Sequence, residues 1–244
     1  MRILPTHPHL PAFGLAAVVA VSLGLSGCAK YPDSAGPSTG TRITVRFRTD
    51  GPIRTGLEPG SPGLPYVYIV ALRLSEDVSP TTDGPLPVVT PGGNGFVAGN
   101  ATHYILWNPL GSPQYQIYQF RDATLNEWTL TGTPVDTIPV EVGNQEIGFS
   151  VDMSQLVPLA DLNRYRSVQI NLLTMNNTNP SGTGRLWDAL GDGRIPSQTN
   201  RFLTLRLDAD RVYSNISEGN LEPVGDQADP SLDIADFTVA IRPE

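Results

Sequence analysis

The residues most able to do chemistry in this chain are carboxylates gathered in its last third. Trp187-Asp188-Ala189-Leu190-Gly191-Asp192-Gly193 places two acids around a glycine turn. Asp226, Asp229, Asp233 and Asp236 then recur through a proline-containing loop ahead of the final apolar run. Calcium takes about six to eight hard oxygen ligands from carboxylates, amides and backbone carbonyls, and loops of this composition supply them. Asp188, Asp192, Asp226, Asp229 and Asp233 are therefore candidate ligands of a structural calcium ion. Neither stretch has the EF-hand spacing D-x-[DN]-x-[DN]-G-x5-E. The same residue types also cap turns through their own side chains. A pair of acids about 5–9 Å apart suffices for glycoside hydrolysis, which keeps a hydrolase as the third class of function.

Other catalytic chemistry finds little support. His103 is the only histidine beyond the first nine residues, too few partners for a catalytic triad or a histidine-rich metal site. No G-x-S-x-G elbow, H-E-x-x-H pair or P-loop occurs. The chain reads as a binding or scaffolding protein and not as an enzyme. Aromatic residues offer a binding surface: Tyr104, Trp107, Tyr118, Trp128 and Trp187 fall in or beside expected strands, and exposed rings stack on sugars. The competing expectation is that these rings fill the core, as the alternation of several of them suggests. Asn176-Asn177-Thr178-Asn179 is a polar turn at which a ligand rim would also fit.

The most specific motif lies at the other end of the chain. Arg2 provides a thin positive start, and Phe13 to Leu25 is an apolar run built from Phe, Leu, Ala and Val. That run is too short for the roughly 20 residues a membrane span needs. It ends in Leu25-Ser26-Gly27-Cys28, which resembles the lipobox of bacterial lipoproteins. The resemblance implies cleavage of residues 1–27, a diacylglyceryl thioether on Cys28 and acylation of its new amino group. Each buried CH2 of such a chain contributes about 0.8 kcal/mol, so two or more chains hold stably. Ala29 stands where an Asp favours inner-membrane retention in the enterobacterial members of that family, so outer-membrane sorting is the expectation.

Cleavage removes Arg2 and no acid, so the mature chain is one charge more negative than the formal −8 of the whole. No basic cluster is available to neutralise phosphates, which excludes nucleic acid as a partner. Cys28 is the only cysteine, so a lipid there leaves no thiol for a disulfide. Gly and Pro number 24 and 23, a share that many turns between short strands would produce. The implied partners are the membrane, through the lipid, and a glycan or an envelope protein.

The elements that must position these residues are strands. Residues 29–40 are small and polar, a tether. From Thr41 the pattern alternates, with Ile43, Val45 and Phe47 against Arg42, Thr44, Arg46 and Arg48. Tyr66 to Leu74 is nearly all apolar, as in a strand covered on both faces. Further strands are expected at His103–Trp107, Gln114–Phe120, Trp128–Leu130, Ile138–Val142, Ile147–Met153, Val168–Met175, Phe202–Leu207 and Phe237–Ile241. A short helix capped by Ser154 is expected within Ser154–Tyr165. Ser79 to Asn100 is a long Pro/Gly-rich loop. The expected fold is all-β, one β-sandwich of Ig-like or jelly-roll type over residues 41–244, with about nine to eleven strands.

Overall fold

A computed structural model describes residues 40–59, 64–87, 94–176, 185–198 and 201–243. The Cys28 motif, the tether up to residue 39 and Asn177–Asn179 lie outside the described residues. Within them the chain forms a nearly all-β domain of two packed sheets. Among the described residues no helix is long and apolar enough to cross a membrane.

The first sheet is built around β1 (Arg42–Thr49), which lies between β14 (Ile234–Arg242) and β9 (Glu146–Asp152). β13 (Arg211–Ser214) closes one edge and the two-residue β8 (Asp136–Thr137) the other, all antiparallel. Alternation sets which face is buried. Ile43, Val45 and Phe47 point inward beside Ile147, Phe149 and Val151 of β9 and Phe237, Val239 and Ile241 of β14. Arg46 and Arg48 face water. A single-residue slip would exchange the two sets, so the register is strongly specified.

The second sheet runs β10 (Ser167–Met175), β2 (Val67–Ser75), β5 (His103–Trp107), β6 (Tyr115–Phe120) and β7 (Trp128–Gly132). The free side of β10 is shared by two short strands, β12 (Leu203–Arg206) on its first half and β11 (Trp187–Ala189) on its last three residues. One face of this sheet packs on the first through Tyr68, Val70, Leu72, Ile105, Trp107, Ile170 and Leu172. The other face carries a second apolar cluster with Ile69, Ala71, Tyr104, Leu173 and Met175. Val97 from the small ribbon of β3 (Pro85–Pro87) and β4 (Val97–Gly99) joins that cluster, as does Leu125 from the loop between β6 and β7. Coverage on both faces explains why β2 and β10 are apolar almost without interruption. Fully burying one such side chain stabilises the fold by about 1.5–3 kcal/mol.

Two local expectations differ from the structure. Residues 138–142 make no strand: the pairing with β9 falls on Asp136 and Thr137, and Pro139 has no N–H to continue it. The short helix divides, because Pro158 separates an α-turn, α1 (Met153–Leu156), from a 3-10 segment (Leu159–Arg164). Its cap is Asp152, not Ser154; the Asp152 N–H donates to Gln155 Oε1 at 3.1 Å. The described residues hold fourteen strand segments against roughly nine to eleven expected. The excess arises because β3, β4, β8 and β11, of two or three residues each, are too short to mark the sequence, and β3 and β4 pair within the stretch expected to be a loop.

The domain has two distinct ends. At one, Arg42 pairs with Arg242 and Asp152, and the Thr41 hydroxyl donates to the Leu207 carbonyl at 3.0 Å. Gly40, where the described chain begins, packs there beside Leu162 and Met153. At the other end, Thr49 pairs with Ile234 and Met175 with Trp187. Along β1 the two ends are about 23 Å apart at ~3.3 Å per residue. Tyr68 braces the second end: its hydroxyl donates to the Ser231 carbonyl and accepts from the Arg54 N–H, both at 2.9 Å, while its ring meets Trp107 edge-on. Tyr68→Phe keeps the packing and strands both backbone groups, so denaturant titration should give a loss of about 1–3 kcal/mol.

Candidate functional site

The second end gathers acids from three parts of the chain. Asp188 lies in the middle of β11, on the second sheet, and Asp233 immediately precedes β14, on the first. Asp226 and Glu222 belong to the loop that runs from β13 back to β14. One carboxylate oxygen each from Asp188, Asp226 and Asp233 lies within 4.8 Å of the others. Asp188, Asp233 and Glu222 are 3%, 1% and 1% exposed, and only Asp226 is half-buried.

Backbone donors hold each carboxylate in place. Asp188 Oδ2 accepts the Ile234 N–H at 2.8 Å, a bond that ties β11 to the start of β14 across the two sheets. Asp233 accepts from the Gly225 and Gln227 N–H groups at 2.8 and 3.1 Å, which wraps the loop around it. Asp226 Oδ2 takes the Gly193 N–H at 2.6 Å, and Glu222 Oε2 takes the Gly191 N–H at 2.9 Å. Asn215 fixes Glu222 from behind, exchanging bonds of 2.6 and 2.8 Å with its backbone. Gly191 has φ +120°, and a Cβ there would collide with the Gln198 carbonyl, so only glycine lets this turn close. Two oxygens are left over. Glu222 Oε1 and Asp226 Oδ1 are buried with no hydrogen-bond partner among the described residues.

The electrostatic consequence is strong retention of protons. Burial pushes Asp188 up to about 8, and the charges of Asp226 and Asp233 add to the rise. Burial, with Asp188 the strongest of the neighbouring charges, pushes Glu222 up to about 11. Asp226 rises to about 6 through burial and the adjacent Asp233 carboxylate, against the lowering effect of the Gly193 N–H.

The structure sorts the five calcium candidates. Asp188, Asp226 and Asp233 come together. Asp192 turns away onto Arg194, at 2.9 and 3.1 Å. Asp229 instead accepts the Tyr66 hydroxyl at 2.8 Å and the Ser231 N–H at 3.0 Å, a loop-capping role. Glu222 was not singled out by sequence. No spacing marks it, since it reaches the cluster only through the return of its loop to Gly191. The acids suit proton or cation binding better than glycoside cleavage, because a sugar could approach Asp226 alone.

The aromatic candidates are dispersed. Tyr104 and Trp107 are 2% and 1% exposed, in the two apolar clusters on opposite faces of the second sheet. Tyr118 is half-buried and stacks on Tyr104 at 4.8 Å. Trp128 is 41% exposed on the edge strand β7. Trp187 is half-buried and lines a recess of about 260 Å³ with Arg185, Asp188, Asp226 and Gln227. Gln227 Nε2 donates to the Trp187 carbonyl at 2.6 Å. A larger cleft of about 400 Å³ lies toward the Gly40 end, lined by Arg73, His103, Arg121 and Tyr165 among others. Burial holds His103 down to about 4, so it is neutral there, bonded to the Thr102 hydroxyl at 3.0 Å with no carboxylate on its ring.

Comparison with protein-family models, with curated proteins and with solved structures finds no match for this chain.

The proton balance makes a prediction. Above pH 4 the unfolded chain has released protons that Asp188 and Glu222 still hold in the native state. The native state therefore binds more protons, and stability falls as pH rises toward 8. His103 acts the other way, but only between its lowered value and about 6.5. In EDTA the melting temperature should drop by several degrees between pH 6.5 and 8, and Glu222→Gln should flatten that slope.

Proposed function

We propose that this protein is a lipid-anchored, non-catalytic binding module of the bacterial cell envelope, taking a carbohydrate ligand at the end of the domain remote from Gly40. The observation that carries this reading is Trp187, a half-buried indole in a recess whose other lining groups are mostly polar. A ring face beside Arg185, Asp226 and Gln227 offers the stacking surface and the hydrogen-bonding groups that a sugar needs. The anchor is the lipid on Cys28, and sorting to the outer membrane follows from Ala29. The chain enters the domain at Gly40, about 23 Å along β1 from the acid loop, which suits a recess that faces away from the bilayer. Catalysis is disfavoured by the burial of Asp188, Asp233 and Glu222 and by the lack of any charged partner for His103.

One observation favours a second reading, docking of another envelope protein. β7 is an edge strand, and Trp128 and Leu130, two residues apart on one face, are 41% and 50% exposed. An unpaired edge with an apolar face is a surface for strand addition.

Three measurements separate these readings. The anchor predicts that Cys28→Ser moves the protein from the membrane to the soluble fraction, and that intact mass of the wild-type chain carries the diacylglyceryl and acyl additions. An unmodified cysteine in membrane-extracted protein would overturn the anchor. Sugar binding predicts glycan-array signals that Trp187→Ala reduces about tenfold or more, at unchanged melting temperature. A silent array, together with a partner whose capture is lost in Trp128→Ala/Leu130→Asp, would replace the glycan reading by docking.

A further inference from the structure

We infer that the carboxylates of Asp188, Asp226 and Asp233, with Glu222 beside them, form a calcium site that fastens the two sheets together at the end of the domain opposite Gly40. Asp188 and Asp226 also line the recess beside Trp187, so the site forms the back of that recess, and it serves the fold whatever the recess binds.

Geometry supplies the first ground. Three carboxylate oxygens, each from a different segment, lie within 4.8 Å of one another. Ca–O bonds of about 2.3–2.6 Å place opposite ligands roughly 4.6–5.2 Å apart, so one ion can touch all three. The three anchoring residues are not free to spread. Asp188 is held by the Ile234 N–H, Asp233 by Gly225 and Gln227, and Asp226 by Gly193.

The second ground is independent of the cluster's composition. Glu222 is 1% exposed, and among the described residues its Oε1 has no hydrogen-bond donor. Its Oε2 takes the Gly191 N–H at 2.9 Å, two residues along the same turn from the Gly193 N–H that holds Asp226, so the side chain stands beside the cluster. Asp226 Oδ1 is a second buried oxygen with no donor. A buried acceptor left unpaired costs about 1–3 kcal/mol, and more when charged. Among the described residues neither oxygen has a donor, and Arg194, whose charge reaches Asp226 and Asp233, is bonded to Asp192, which leaves these two oxygens short of a positive partner. A cation supplies it.

The donor set selects the ion. All the groups are hard oxygens, with no imidazole or thiolate in the cluster, which disfavours zinc. Magnesium demands near-ideal octahedral geometry and keeps several waters, whereas this cluster is buried and irregular, which suits calcium. The placement gives the ion its task. It would link β11 of one sheet to the segment entering β14 of the other, and close the loop carrying Glu222 and Asp226 over both.

Terbium and calcium test this on the full-length protein in detergent after EDTA treatment and dialysis. Trp187 lines the same recess as Asp188 and Asp226, so it should sensitise terbium emission that saturates at one equivalent. Calcium should displace the terbium, magnesium at the same concentration should not, and calcium should raise the melting temperature by several degrees. Asp226→Asn should weaken calcium binding about tenfold or more, and Asp192→Asn, an acid nearby but held by Arg194, should leave it unchanged. No terbium emission, no thermal shift at millimolar calcium, equal displacement by magnesium or equal loss in Asp192→Asn would each overturn the assignment. The wild-type titration decides it even if Asp226→Asn fails to fold. A protein that binds calcium but carries no lipid or binds no glycan would refute the proposed function and leave this site standing.

Discussion

Three buried carboxylates, with Asp226 half-buried beside them, make the strongest electrostatic demand among the described residues, where the two sheets meet. Each loses hydration and each feels the others, so the group cannot carry its full charge without compensation. The backbone answers part of that demand. N–H groups of Gly191, Gly193, Gly225, Gln227 and Ile234 all point at carboxylate oxygens. The paths of the β11–β12 connection and of the long loop before β14 follow from this arrangement. Were the acids replaced by apolar residues, nothing would hold those N–H groups in their present orientation, and the end of the sandwich would have to be rebuilt.

The remainder of the domain obeys a simpler rule. Alternation in β1, β9 and β14 turns one face inward and leaves the other wet, whereas β2 and β10 are apolar on both faces because both are covered. These patterns made the strands legible from sequence: Ile43, Val45 and Phe47 against Arg42, Arg46 and Arg48 can be read in only one way. The short pairings were not legible. β8 and β11 are two and three residues long, and they exist because a longer strand offers them a place, not because Asp136-Thr137 or Trp187-Asp188-Ala189 prefers to be extended. The division of the short helix follows from Pro158, which keeps the preceding Val157 extended.

The candidate site divides along the same line. Asp188, Asp226 and Asp233 were visible as acids in turn-rich segments, which is a statement about composition. What distinguishes them from Asp192 and Asp229 is which way each side chain turns, and that depends on local competitors. Arg194, two residues on, draws Asp192 into a surface ion pair. The Tyr66 hydroxyl, brought from a distant part of the chain, occupies Asp229. Glu222 carries no local signal, since its place depends on Asn215 and Gly191, the second of which lies far from it in sequence. The aromatic residues behave likewise. Tyr104 and Trp107 differ by three positions in one strand, so they face opposite sides of a sheet buried on both, and neither reaches the surface.

The same burial bears on function. A carboxylate tuned to a high proton affinity is a familiar part of an acid–base catalyst, and here burial raises three of them. Catalysis needs one thing more, that the tuned group touch the substrate. Asp188 and Glu222, the most strongly shifted, are 3% and 1% exposed, whereas Trp187, Arg185 and Gln227, which line the recess with Asp188 and Asp226, are half-buried. The raised values therefore belong to the scaffold behind that recess. A cluster that must be compensated before the loop can close gives the recess a fixed back, and a ligand of the kind proposed would lose less conformational entropy on settling against Trp187. On the proposed reading Asp188, Asp233 and Glu222 would contribute to binding without touching the ligand, by holding the two sheets and the Trp187 strand in one arrangement, and Asp226 alone would meet it.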